Sequence, residues 1–509
     1  MPETEDERAA PREVELKLEM EPGAMVAVRA HPLLRDVLAR ARPKRLHATY
    51  FDTPDRLLRE AGLSLRIRRS GRRRVQTVKA ASGPAAGLFD RDEWEQEVRA
   101  DIPDLASEAG LPDLLRRSDV AAALAPAFAV RVERTTLDLA QGASRAEITI
   151  DEGVVEAGGR RDAVAEVEIE LKDGAAADLF ALARALAEGA PLRLGIRTKA
   201  DRGYTLADGR PLKAVKSSAA HVAPGLTAGQ GFQAIARACL VHLLRNEPVL
   251  RAGRDPDAVH QMRVAMRRLR AAVSLHKAIL SDERRDRIAA EVKWMAGELG
   301  EARDLDVFLG KSVRPALAGH GDDADLAALA ADLEARREAA YDAALEAIGS
   351  PRFRAMLIDL AEWIEVGPWL SGGDGERDGP VEAFAAEVLG RRAKRIRKRG
   401  RRLATLAPEP RHDLRIAVKK LRYAVEFFGP AFTGGKAERR RKAYLAALED
   451  LQEHLGDLND LAVGRERLAA LPASERLAPL LLGGADERRM LERAVDAFES
   501  FADAKPFWG

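Results

Sequence analysis

Glu13, Glu15 and Lys17 stand two residues apart, as do Arg66 and Arg68, and Glu166, Glu168, Glu170 and Lys172. Side chains alternate between the faces of an extended strand, so each set shares one face. Lys79, Arg91, Glu93, Arg134 and Lys199 add charge in segments of the same kind. Adjacent carboxylates repel unless a cation sits among them, and hard divalent ions such as Mg²⁺ or Mn²⁺ prefer carboxylate oxygens. Clustered arginines and lysines favour a polyanion, for which phosphate is the usual partner. Acidic and basic strands lining one cavity would suit a metal–polyphosphate substrate, the ion bridging carboxylates to phosphate oxygens and the bases taking the remaining charge. A solvated outer face with cross-strand ion pairs is the plainer explanation for any one strand. No GxxxxGK[ST] loop occurs, so a P-loop phosphate site is excluded.

A second set of residues repeats at helical spacing. At about 100° per residue, His260, Arg263, Arg267 and Arg270 fall within an arc of roughly 80°. Met262, Met266, Leu269 and Val273 form a separate apolar stripe. The same two stripes recur as His412, Arg415, Lys419 and Arg422, and as Leu414, Val418, Leu421 and Val425. Like charges at neighbouring helical positions repel, a cost that an extended polyanion lying along the stripe would remove. Segment 391–402 holds nine basic residues in twelve, with Lys394 and Arg397 as further candidates. Asp304 and Asp460 are expected to pair with these arginines across helices rather than do chemistry. No second histidine lies at i+3 or i+4 from His260 or His412, which argues against a metal site there. His242, His276 and His454 read as ordinary helix histidines.

The elements that must hold these residues divide the chain. Residues 1–208 alternate with period two, as in Val14, Leu16 and Leu18 or Val167, Ile169 and Leu171, which predicts strands. Turns are expected at Ser70-Gly71, Ser82-Gly83-Pro84, Asp151-Glu152-Gly153 and Gly158-Gly159, and helices near 31–42, 104–124 and 174–188. Residues 209–229 read as a linker. From Phe232 the pattern is helical, and 367–380 divides it into repeats of about 230–366 and 381–505. Leu299-Gly300 to Asp304-Leu305 parallels Leu455-Gly456 to Asp460-Leu461, so the helical half reads as a duplicated unit.

Composition sets limits. Lys+Arg 83 against Asp+Glu 81 leaves +2, which argues against a simple polycationic nucleic-acid binder without excluding local patches. Aromatics at 5% are too sparse for extensive base stacking. The single cysteine, Cys239, excludes an internal disulfide and any multi-cysteine metal site. No apolar run reaches the ~18–20 residues of a membrane span, and MPETEDERAAPREVE has no signal-peptide pattern. These features predict a soluble cytoplasmic protein with no membrane partner and no specific nucleic-acid partner.

Glu13-Val-Glu15-Leu-Lys17 resembles the ExExK signature of the CYTH (triphosphate tunnel metalloenzyme) family. The likeness continues in order through Tyr50-Phe51-Asp52-Thr53, Leu65-Arg66-Ile67-Arg68, Gln76-Thr77-Val78-Lys79, Arg91-Asp-Glu93, Arg134, Glu166-Val-Glu168-Ile-Glu170-Leu-Lys172 and Lys199-Ala-Asp-Arg202-Gly203-Tyr204. The resemblance implies an eight-stranded antiparallel β-barrel forming a tunnel over 11–208. It implies Glu13, Glu15, Glu168 and Glu170 as ligands of Mg²⁺ or Mn²⁺, with Glu166 on the same face. Lys17, Arg66, Arg68, Lys79, Arg91, Arg134 and Lys199 become triphosphate contacts; Arg131 has the opposite strand parity and is left out. Glu13, Glu15, Lys17 and Glu93 become the catalytic candidates. Without Ser, Cys or His in these motifs, attack by water is simpler than a covalent phosphoenzyme.

The histidine-bearing basic repeat of 230–505 resembles the CHAD (conserved histidine α-helical) family, which implies duplicated all-α four-helix bundles and polyphosphate binding by His260, Arg263, Arg267, Arg270, His412, Arg415, Lys419 and Arg422. The expected protein is thus a multidomain α+β inorganic triphosphatase with inorganic triphosphate and polyphosphate as partners, located in the cytoplasm or at polyphosphate granules. A polyphosphate-binding adaptor with a weakly active barrel, or a thiamine triphosphatase or adenylate cyclase relative, would share most of these features. Organic head groups need stacking walls, and only Phe51, Phe89 and Trp94 stand out as aromatic candidates.

Overall fold

A computed structural model describes residues 12–80, 86–106, 110–220, 222–373, 375–469, 474–483 and 486–509. The Ser82-Gly83-Pro84 turn lies outside the described residues. The chain forms two compact units, Met1–Lys213 with Gly349–Val366, and Ala214–Ile348 with Gly367–Gly509.

The first unit is built on β1 (Arg12–Glu19), β2 (Lys44–Asp52), β3 (Leu63–Ser70), β4 (Arg73–Ala80), β5 (Leu88–Glu97), β6 (Ala125–Gln141), β7 (Ser144–Ala157) and β8 (Arg160–Asp173). Neighbours run antiparallel in the order β5-β4-β3-β2-β6-β7-β8-β1, and β1 pairs back to β5, so the eight-stranded barrel is closed. Closure removes the sheet edges that would otherwise offer unpaired backbone groups. A two-residue strand, β9 (Arg193–Leu194), extends β1.

The usual polarity of a small barrel is reversed. Leu16, Leu18, Ile148, Ile150, Val167 and Ile169 are fully buried, and α1 (Ala176–Gly189) packs on β1, β6 and β8 with Leu179, Phe180 and Ala183 buried. A second outer layer is α2 (Lys199–Asp208), whose Tyr204 stands edge-on to Phe128 while Tyr50 stacks on the same ring. Gly203 permits that approach, because a Cβ there would lie 2.1 Å from the Phe128 ring. With the apolar faces turned out under helices, the alternating charged positions are left facing the lumen.

Two local expectations change. Asp151-Glu152-Gly153 is not a turn but the middle of β7, paired with Arg134, Glu133 and Val132 of β6. Gly153 serves close strand approach, since a Cβ there would sit 2.0 Å from the Arg131 carbonyl oxygen. Lys199 begins a helix rather than lying on a strand, and a capping box of Thr198 and Asp201 fixes that start.

The second unit contains α3 (Ala228–Gly253), α4 (Pro256–Leu275), α5 (Arg284–Glu298), α6 (Gly300–Phe308), α7 (Ala324–Gly349), α9 (Val381–Gly400), α10 (Pro408–Phe428), α11 (Gly435–Ala469), α12 (Ser474–Leu482) and α13 (Glu487–Asp503). The intervening α8 (Pro351–Val366) belongs to the barrel unit, where Arg184 of α1 bonds Asp359 at 3.0 and 3.1 Å and Glu362 at 2.5 Å. Residues before α3 pack closely: the Val215 amide donates to Asn246 at 2.9 Å, and Val222 is fully buried. Among the described residues no helix is long and apolar enough to cross a membrane.

Candidate active site and candidate polyanion surface

At one side of the lumen, β1 meets β4 and β5. Glu13 accepts two bonds from the Lys79 ammonium, at 2.8 and 2.7 Å, and one from Arg91 Nε at 2.9 Å. Arg91 also reaches Glu15 at 2.5 Å. Burial works against the Glu13 carboxylate, but Lys79 and Arg91 outweigh it and bring the group down to about 2. Glu15 is pushed up, by burial first and then by the charge of Glu168. Glu93 lies 3.3 Å from Lys79, and burial lifts it to about 7 with Glu13 adding repulsion.

Across the lumen, β6, β7 and β8 meet the start of α2. Asp151 and Glu166 are fully enclosed and Lys17 nearly so. Lys17 lies 2.5 Å from Glu166 and 3.7 Å from Glu168. Lys199 contacts Asp151 at 2.7 Å, Glu168 at 2.9 Å and Glu166 more closely still. Arg134 bonds both oxygens of Asp151, at 2.8 and 2.5 Å, and Glu168 at 3.2 Å. Burial opposes the charged forms here, yet Lys199 and Arg134 hold Asp151 and Glu168 below the usual carboxylate range, and Asp151, Glu166 and Glu168 hold Lys199 well above the usual lysine value.

Arg66 and Arg68 continue the basic wall. Arg66 donates to the Tyr50 hydroxyl at 3.4 Å, and Arg68 to Glu95 at 3.3 Å. Arg68 is pulled down to about 10, first by Arg66, then by burial and Arg134. Three guanidiniums thus crowd one space, the arrangement a multiply charged anion relieves. Arg131 is exposed and pairs with Glu156 at 2.7 Å. Glu170 is directed to Lys172 at 2.6 Å and is more exposed than Glu168.

Glu95 also accepts from Thr77 at 2.9 Å. Its parity with Arg91 and Glu93 could have identified it. Asp151 was hidden by the glycine that made its segment look like a turn.

The residues fit a divalent cation. Asp151, Glu166 and Glu168 each offer an oxygen, and these atoms lie within 4.8 Å of one another. The Glu166 oxygens make no hydrogen bond of good geometry even though Lys17 and Lys199 lie against them, so lone pairs remain. An all-oxygen donor set suits Mg²⁺ or Mn²⁺. Glu168 belongs both to this cluster and to the set Glu13, Glu15, Glu168 and Glu170 implied by the sequence resemblance.

In the helical unit the basic stripes of α4 and α10 converge. The half-buried Lys419 is pulled down to about 7, first by burial and then by Arg267, Arg415, Arg422 and Arg263. The buried Nε atoms of Arg263, Arg267 and Arg415 have no hydrogen-bond acceptor. His260 is lowered to about 4 by burial and by Arg303 and Arg267, so it is a neutral hydrogen-bonding group near pH 7. His412 lies 2.5 Å from the Asn459 side-chain oxygen.

Asp304 lies 3.6 Å from Arg263, whereas Asp460 pairs with Lys311 at 3.1 Å. Arg422 is already committed, to Glu426 at 2.5 Å and Gln452 at 2.9 Å. Arg270 is exposed. Lys394 is exposed too, while Arg397 donates to the carbonyls of Ala502 and Ala504 at 3.2 and 3.0 Å.

Comparison with known proteins matches residues 11–204 to the CYTH domain and residues 234–469 to the CHAD domain. An inorganic triphosphatase of Haemophilus influenzae is 28% identical over 196 residues, covering 38% of this chain and 55% of that protein. The chain thus spans about half the length of this curated relative. Among solved structures, the CHAD domain from the plant Ricinus communis is 30% identical, with 58% of this chain and 98% of that one covered and a TM-score of 0.48. PptA from Streptomyces chartreusis is 19% identical, with 54% and 98% covered and a TM-score of 0.42.

Proposed function

We propose that this protein, which carries a CYTH domain followed by a CHAD domain, hydrolyses inorganic triphosphate to phosphate and pyrophosphate in its barrel and binds inorganic polyphosphate on its helical unit. The observation that carries the first half is the lumen: Lys17, Lys79, Arg91, Arg134 and Lys199 are closed in with Glu13, Glu15, Asp151, Glu166 and Glu168. Arg66, Arg68 and Arg134 would take the phosphate oxygens, with Lys79, Arg91, Lys17 and Lys199 released toward the substrate as their carboxylates turn to the metal. Glu168, with Glu15, Glu13 and Glu170 or with Asp151 and Glu166, would hold Mg²⁺ or Mn²⁺, which would supply charge neutralisation to the triphosphate. Water then attacks the terminal phosphorus, the P–O bond to pyrophosphate breaks, and Glu93 takes the water proton.

An inorganic substrate is favoured by where the aromatics go. Phe51 and Trp94 are packed into an apolar cluster with Leu58, Leu65 and Leu115, and Phe89 lies under the Arg91 guanidinium at 5.0 Å. That leaves little wall for an adenine or a thiamine ring. Polyphosphate binding rests on the α4–α10 convergence, where buried guanidinium Nε atoms without acceptors surround Lys419.

Phosphate release from tripolyphosphate, ATP and thiamine triphosphate, with and without divalent metal, tests the proposal. Tripolyphosphate should be the preferred substrate and turnover should require metal. Glu13→Gln with Glu15→Gln should abolish release in a protein that keeps its circular dichroism. Unchanged turnover in that double variant would remove the site assignment. No turnover of any substrate, with polyphosphate still bound, would leave a binding adaptor.

A further inference from the structure

The first helical repeat holds a cavity lined at positions where the second repeat carries different residues. The cavity, of 250 Å³, lies between α4 and α5 on a floor of Leu269, Val273, Ile288, Ala289 and Val292. Its rim carries Arg270, Ser274 and Lys277, together with Arg285 and Asp286, which bond each other at 2.9 Å. Among the described residues Arg270 and Lys277 make no ion pair, and both are exposed.

The internal duplication shows how the two repeats differ at these positions. The spacing that aligns His260 with His412 puts Arg422 at the position of Arg270 and Glu426 at that of Ser274. In the second repeat Glu426 neutralises Arg422 one turn away, at 2.5 Å, and bonds Arg268 as well. The spacing that aligns Leu299 with Leu455 puts Tyr444 at the position of Ile288 and Leu445 at that of Ala289. Tyr444 is fully buried, with its ring against Phe501 and Trp508 at 5.5 and 5.0 Å. The first repeat has a serine in place of the acid and smaller aliphatic residues in place of Tyr444 and Leu445.

Arg270 also joins the cavity to a cationic group. Half-buried Lys420 is held below its usual value by burial, then by Arg392, Arg270 and Arg395. Arg392 is lowered by burial and by Arg391 and Arg395.

We propose that this cavity binds a short aliphatic phosphate, its chain on the Leu269–Val292 floor and its head group on Arg270 and Lys277. A floor without aromatics suits a saturated or branched chain rather than a ring. Several cations gathered with few acids suit a doubly charged phosphate better than a carboxylate. The volume, slightly below the ~300 Å³ lower end of common ligand pockets, suits a small molecule. A protein partner would need an apolar surround, and among the described residues the exposed large hydrophobics lie elsewhere, at positions such as Val26, Ile102, Ile416 and Val463. The site is independent of the barrel chemistry.

Titration calorimetry of the full chain with octyl phosphate, below its micelle concentration, tests this, with octanol and inorganic phosphate as separate probes. Octyl phosphate should bind at least about tenfold more tightly than either probe. Two substitutions graft the second repeat onto the first. Ala289→Leu should weaken octyl phosphate about tenfold and leave inorganic phosphate unchanged; Ser274→Glu should weaken octyl phosphate by a similar factor by occupying Arg270. Ser274 is on the rim, so that variant tests the site even if Ala289→Leu disturbs folding. Octyl phosphate binding no tighter than inorganic phosphate, or affinity unchanged in both folded variants, would overturn the proposal.

Discussion

Lys199 in the barrel and Lys419 in the helical unit are both withdrawn from solvent, and their ammonium groups shift in opposite directions. Against the effect of burial, Asp151, Glu166 and Glu168 raise Lys199; burial first, and then Arg267, Arg415, Arg422 and Arg263, lower Lys419 to about 7. The barrel encloses its cations with acids, so its charges are nearly balanced before any substrate arrives. The helical unit sets cation against cation around Lys419, a repulsion that a bound anion would relieve. The first arrangement suits a small lumen that exchanges internal ion pairs for a metal–phosphate complex. The second suits a surface whose ligand is a long polyanion.

The sharpest way to break this contrast is to delete one charge from each region. Asp151→Asn removes one of the two carboxylates that buried Arg134 and Lys199 share, the other being Glu168, and should cost about 3–5 kcal/mol. Arg415→Ala removes a charge from a repelling group, and should cost no more than about 0.5 kcal/mol. Denaturant unfolding without metal or phosphate measures both. Equal losses would mean that the two regions do not differ in kind.

Proton linkage gives the next effect. Lys419 is lowered in the free protein, and a bound polyanion would restore its charge. Polyphosphate affinity should therefore be steady below about pH 7 and fall above it, by up to about tenfold per pH unit until the bound-state value is reached. Lys419→Gln should flatten the profile. A wild-type profile already flat from pH 6 to 9 would place the ligand away from Lys419.

The smallest effect concerns the edge of the barrel site. Glu170 is partly exposed and bonded to Lys172, so Glu170→Gln should change stability by less than about 1 kcal/mol. Its turnover should fall far less than that of Glu168→Gln, read as phosphate release at saturating metal. Equal losses would show that Glu170 turns into the lumen when metal binds.

Much of the fold was legible because strands and helices announce themselves by period. Alternation from Glu13 to Glu19 gave β1 its two faces, and the ordered charged motifs pointed to the closed eight-stranded barrel that the structure contains. The site was legible as a set of residues on shared faces, and much less as a set of pairs. Asp151 was concealed because Gly153 signals a turn locally, while its actual use is close approach of β7 to β6. Lys199 was expected on a strand, but Thr198 and Asp201 cap a helix there. Arg270 and Arg422 look equivalent in sequence; Glu426 makes them different, and only one is left open.

The sequence by itself determined which face each charge occupies, because side-chain direction follows from a period of two or 3.6 residues. It also determined that the near-zero net charge is divided between an acid-and-base half and a basic-stripe half. Tertiary structure decided who meets whom. Lys17 on Glu166, Lys199 among three carboxylates and Lys419 among four arginines all join residues far apart in the chain, and the cavity beside Arg270 depends on how two consecutive helices pack. Such encounters depend on strand register, barrel closure and helix packing, which local periodicity does not encode. Burial lowers both lysines; acidic partners overcome it at Lys199 and basic partners add to it at Lys419, so two lysines of the same chain shift in opposite directions.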